Sequence, residues 1–117
     1  MQISERKSGD VVIVEVSGKI TLGEGGDTVL KDKMRSLVQQ GHKKLLLNLG
    51  DVSYVDSAGL GELISVHSTA TRNGGHIKIF NLTKRISDLL AITKVLTVFD
   101  VFDSEEEALK SFSPVAS

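Results

Sequence analysis

The run Leu45-Leu46-Leu47-Asn48-Leu49 constrains the fold more than any other stretch of the chain, because it reads as a β-strand buried on both faces. Directly beyond it, Tyr54-Val55-Asp56-Ser57-Ala58-Gly59-Leu60-Gly61-Glu62-Leu63 opens a segment with apolar residues at helical spacing. A hydroxyl therefore sits where a strand hands over to a helix. Such a junction exposes unpaired backbone N–H groups and the positive end of the helix dipole, so Asp56 or Ser57 can cap it and a phosphate there is electrostatically tolerated. Capping alone would explain both residues, and a functional role rests on what surrounds them.

Residues 2 to 7 and 11 to 16 read as two strands of a hairpin joined at Ser8-Gly9-Asp10, the second rich in β-branched residues. Gly23-Glu24-Gly25-Gly26 reads as a flexible turn and not as a phosphate loop, since no Gly-Lys-Ser/Thr follows. Asp27 is the expected cap of a helix to about Gln40, with Leu30, Met34, Leu37 and Val38 on one face and Gly41 as its stop. His42-Lys43-Lys44 is a short basic turn, expected to be a solvated connection.

The helix after Ser57 carries Leu60, Leu63, Ile64, His67 and Ala70 along one stripe and is expected to end at Asn73-Gly74-Gly75. A strand follows over residues 76 to 80, and Thr83 is placed to cap a short helix holding Ile86, Leu89, Leu90 and Ile92. Residues 98 to 102 supply a last strand. Ser104-Glu105-Glu106-Glu107 is a capping-box start for a final helix through Ala108, Leu109 and Phe112, stopped by Pro114. Strands and helices thus alternate after the hairpin, which predicts an α/β fold with a mixed, mostly parallel sheet flanked by about four helices. The Ser57 junction then lies at the C-terminal edge of the sheet, where such folds place their sites.

Composition removes several classes of function. At 117 residues the chain is expected to be a single domain, residues 1 to 117, and its 14 basic and 15 acidic residues give no call for nucleic acid or an anionic membrane. With no cysteine there is no disulfide framework or thiolate nucleophile, and three isolated histidines give no metal-ligand spacing. The N-terminus lacks the apolar core of a signal peptide, and a soluble, cytoplasmic protein is expected. A hydrolase is disfavoured too. Val55-Asp56-Ser57-Ala58-Gly59 lacks the first glycine of a nucleophile elbow, and His67 lies ten residues along the same helix, about 15 Å away by helical rise. A general base must reach within about 3 Å.

The Asp56-Ser57-Ala58-Gly59-Leu60-Gly61 run after a strand resembles the signature of the STAS domain family, specifically of the small bacterial anti-sigma factor antagonists. The likeness extends to the hairpin with Val11 to Gly18, the Gly74-Gly75 turn, and the tail from Leu89 to Ser104. It implies an opening strand antiparallel to the others and a partner-switching role. In such a role the protein binds an anti-sigma factor that is itself a serine kinase using ATP and Mg, releasing a sigma factor. The kinase then switches the protein off by phosphorylation, and a serine phosphatase restores it.

The resemblance places the phosphoacceptor at Ser57, with Asp56, Ala58 and Gly59 supporting it and Thr21, Leu60 and Gly61 on the partner-binding surface. It implies no catalytic residue, cofactor or metal in the chain itself, no nucleic-acid or membrane partner, and a monomer when free. One position departs from the pattern: Thr21 stands where many members carry an aspartate, and no acidic role is assigned to Glu24 nearby. The alternative is a STAS subunit of a transport-associated or other regulatory complex, without phosphoregulation.

Overall fold

The opening strands β1 (Gln2–Ser8) and β2 (Val11–Ile20) pair antiparallel from Gln2↔Ser17 to Ser8↔Val11, and Gly9 turns the hairpin with a φ of +61° that favours glycine. The computed structural model describes residues 2–21, 29–92 and 99–112; the Gly23 to Gly26 turn, the expected Asp27 cap, Val98 and Pro114 lie outside them. Beyond the hairpin come α1 (Val29–Gln39), β3 (Lys44–Val55), α2 (Ser57–Arg72), β4 (His76–Phe80), α3 (Lys84–Ile92), β5 (Asp100–Phe102) and α4 (Glu105–Phe112).

The strands lie in the order β1-β2-β3-β4-β5, and every pairing after the first is parallel. Each parallel strand is added on the same side of the one before, so right-handed crossovers put α1, α2 and α3 on one face. There Val12, Val14, Leu45, Leu47 and Ile79 pack beneath Leu30 and Met34 of α1, Leu63 and Val66 of α2, and Ile86 and Leu90 of α3. On the other face Val11, Ile13, Leu46 and Phe80 meet Ala108 and Phe112 of α4. Leu45, Leu46, Leu47 and Leu49 are fully buried, as expected of a strand covered on both sides.

Lys78 fixes the end of α4. Its Nζ donates to the Ser111 carbonyl at 3.1 Å and to Ser111 Oγ at 2.9 Å, and lies 4.6 Å from the centroid of the Phe112 ring. A cation is favoured there both by the ring face and by the negative end of the helix dipole.

Two strands are longer than the hydrophobic pattern predicts, β2 continuing to Ile20 and β3 to Val55, whereas the last is shorter, β5 beginning at Asp100 with Phe99 outside it. Register shifts between Glu15 and Ser17 and between Gly18 and Lys19 break the alternation, which conceals the extension. The inward stripe of α2 also differs from expectation. Gly59, Glu62, Leu63, Val66 and Ala70 are buried, whereas Ile64 is 42% exposed and Leu60 and His67 lie at the margin. On α3, Ile86 and Leu90 are buried but Ile92, at the last helical position, is 81% exposed.

The expected caps of the later helices form. The Ile86 N–H donates to Thr83 Oγ1 at 3.2 Å, and the Glu107 N–H donates to Ser104 Oγ at 3.2 Å. The basic turn is more than a solvated connection: Lys43 Nζ donates to the Asn73 carbonyl that ends α2, at 2.7 Å, and Lys44 Nζ pairs with Asp10 at 2.7 Å.

Arg6 of β1 forks onto both carboxylate oxygens of Glu105 at the start of α4 and also reaches Glu15, Nε to Oε2 at 3.3 Å. The hydrogen bonds from Arg6, with its charge, hold the Glu105 carboxyl below its usual range. A depressed folded-state value means that the pair contributes fully above the unfolded value and is lost as pH falls through the folded one. Both side chains are more than a third exposed, so the contribution is at most about 1 kcal/mol. Urea unfolding should therefore show the wild type more stable than Glu105→Gln at pH 7, with the gap narrowing below about pH 4. An equal gap at both pH values would contradict this.

Candidate functional site

The C-terminal end of β3 is pinned to the end of β2. The Asp56 N–H donates to the Ile20 carbonyl at 3.2 Å, just past the Ile20↔Val55 pair. Asp56 is extended, with φ −93° and ψ −176°, and its carboxylate accepts the Gly59 N–H at 2.8 Å, so it is the N-cap of α2 as its residue type predicts. A cap of this kind contributes about 1 kcal/mol. The Asp56 carbonyl accepts the Leu60 N–H at 2.8 Å and starts the helical ladder.

Gly59 is where α2 and the end of β2 touch. A Cβ at this position would lie within 3.0 Å of the Ile20 carbonyl oxygen, the carbonyl carbon and Cγ2. Only a glycine lets the first turn of α2 lie on that carbonyl. Together the Asp56 cap and the Gly59 contact fix both the direction of α2 and the height of its first residue above the sheet.

Ser57 is that first helical residue, and its side chain is exposed. Ala58 beside it is half-buried. One turn on, Gly61 is exposed with nothing within 4 Å of where a Cβ would stand, so a shallow open patch adjoins the hydroxyl. Ile64 and Ser68 continue the same exposed face at helical spacing. Leu60 is half-buried and packs against the core. Thr21, half-buried, follows Ile20 directly, which brings it to the same edge as Asp56 and Ser57.

The hydroxyl of Ser57 thus stands at the mouth of a helix, where its first-turn N–H groups and the positive end of the dipole favour an added anion by about 0.3 to 1 kcal/mol. His67 points elsewhere: its ring packs edge-on against Phe99 at 5.1 Å between centroids. Among the described residues no three His, Asp or Glu side chains are grouped to hold a metal ion, and no helix is long and apolar enough to cross a membrane.

The site includes one residue that the sequence reading passes over. Glu62 is buried, 3% exposed, and its Oε2 accepts the Lys31 N–H of α1 at 2.9 Å. The available signal was its spacing: Gly59, Glu62, Val66 and Ala70 fall on one helical stripe.

Three comparisons place this fold among known proteins. The family model of the STAS domain matches residues 2–108. The anti-sigma-B factor antagonist of Bacillus subtilis is 29% identical over 106 residues, covering 91% of this chain and 94% of that protein. In structure, the chain is similar to a candidate anti-sigma factor antagonist of Thermotoga maritima, with a TM-score of 0.82 at 20% identity, covering 93% of this chain and 92% of that one. It is also similar to the Bacillus cell fate determinant SpoIIAA in its phosphorylated form, with a TM-score of 0.68 at 15% identity, covering 96% and 100%.

Proposed function

The chain belongs to the STAS domain family, and from that premise we propose that it is an anti-sigma factor antagonist whose partner binding is switched off by phosphorylation of Ser57. The observation that carries this reading is the exposed Ser57 hydroxyl at the first position of α2, directly after the capping Asp56. The relatives named as anti-sigma factor antagonists support it. The partner is an anti-sigma factor that is itself a serine kinase and uses ATP and Mg. Ser57 Oγ attacks the γ-phosphorus, ADP leaves, and the hydroxyl proton passes to a base of the kinase. A serine phosphatase reverses the modification by hydrolysis.

Asp56 and Gly59 act on this reading by holding the first turn of α2 in place, with Ala58 between them. Thr21, Leu60 and Gly61 belong to the docking surface around the hydroxyl. The switch requires no rearrangement of the fold. A phosphoserine brings about −1.5 to −2 charges, and a dry or acidic partner surface over Gly61 and Ile64 would reject them. A penalty of about 2.8 kcal/mol lowers affinity a hundredfold.

The test begins with identification of the cognate kinase by co-purification. Calorimetry should then find Ser57→Asp binding that kinase about tenfold or more weakly than the wild type. Equal dissociation constants would remove the charge mechanism. Capture of a membrane transporter or its ATPase in place of a kinase would favour a transport-associated subunit. The intact Asp56-Ser57 pair favours the switch.

A further inference from the structure

Among the described residues, Glu62 is the buried charged side chain, and no step of the proposed switch uses it. It belongs to the helix that begins with Ser57, yet its Oε2 accepts the N–H of Lys31, the third residue of α1. The first N–H groups of a helix have no acceptor within it, and a carboxylate there also complements the dipole. One turn of α1 is therefore held by a carboxyl oxygen on α2.

We propose that Glu62 is a positioning residue that makes the starts of α1 and α2 a single unit, so that charge arriving at Ser57 is felt at the first turn of α1. Ser57 and Glu62 are five residues apart, about 7.5 Å along the helix axis and about 140° around it, so the field between the outward hydroxyl and the inward carboxyl runs through α2 itself. The separation exceeds the screening length of about 8 Å at physiological salt, but a path that ends at a buried group is screened much less than one through water. A phosphate on Ser57 carries the same sign as the Glu62 carboxylate. Its repulsion of negative charge on Glu62 weakens the hydrogen bond that Oε2 accepts from Lys31. Val29, 45% exposed at the start of α1, and the open face of α2 would then change together. This deepens the proposed switch and rests on it only for its biological use, because the coupling belongs to the folded chain itself.

The experiment needs no kinase. Phosphoserine is installed at position 57 during translation, and amide exchange is followed by nuclear magnetic resonance with and without the phosphate. The Lys31 amide should exchange about threefold faster or more in the phosphorylated chain. The Glu107 amide, held by Ser104 at the start of α4, should be unchanged and serves as the control.

In Glu62→Gln, which keeps an acceptor oxygen but no charge, the phosphate should leave Lys31 exchange unaltered. An unaffected Lys31 in the wild type, or the same acceleration in Glu62→Gln, overturns the proposal. Should that variant fail to fold, the wild-type pair judged against Glu107 decides alone. Absence of a labelling kinase would sink the functional reading and leave this result intact; an unaffected Lys31 would do the reverse.

Discussion

Ser57→Ala is expected to abolish phosphate incorporation when the chain is incubated with its cognate kinase and ATP, taking the yield from one phosphate per molecule to none. The substitution isolates chemistry from folding. Ser57 is exposed, its cap comes from Asp56, and alanine is the best helix former, so stability should move by no more than about 0.5 kcal/mol. Unchanged circular dichroism and thermal melting would establish that. Mass spectrometry then counts phosphates, and labelling of Ser57→Ala at the wild-type level would remove Ser57 from its assigned role. Ser57→Thr keeps a hydroxyl and should retain labelling, which separates loss of the acceptor from loss of docking.

Gly59→Ala should have the largest effect on stability of any single methyl added to the chain's first α2 turn. The new Cβ would meet the Ile20 carbonyl, which also accepts the Asp56 N–H. Backbone cannot step aside as a side chain can, so the helix must lift or the strand end must yield. Overpacking of this kind costs about 3 kcal/mol, roughly 10 °C in melting temperature for a chain of this size. Gly61→Ala is the matched control: it adds the same methyl two residues away into open space, and should be neutral or slightly stabilising. Equal melting temperatures for the two variants would show that the Ile20 contact does not constrain the site.

Much of this arrangement is legible from residue types acting locally. The hairpin at Gly9, the buried β3 and the caps at Asp56, Thr83 and Ser104 each follow from a preference of one residue for one backbone situation. What escaped was set at longer range. Glu62 looks like a surface residue because carboxylates are rarely buried, and its acceptor role depends on a helix 31 positions away in the chain. Ile64 and Ile92 look like core residues, yet the rotation of α2 imposed at Gly59 turns the first outward, and the second lies at the end of its helix. The last residues of β2 and β3 were hidden by the shifts in register, which spoil a two-residue period without ending the pairing. Exposure of Ser57 and its assembly with Thr21 at one edge needed the fold itself.

The outer margins of the sheet have a consequence for life at high concentration. One margin is β5, only 3 residues long, and the other is β1, whose exposed Glu5, Arg6 and Lys7 surround the backbone with charge. Among the described residues, neither offers a neighbouring copy a long, bare ladder on which to add a strand. A chain built this way can accumulate to meet its partners in number without polymerising through its own sheet.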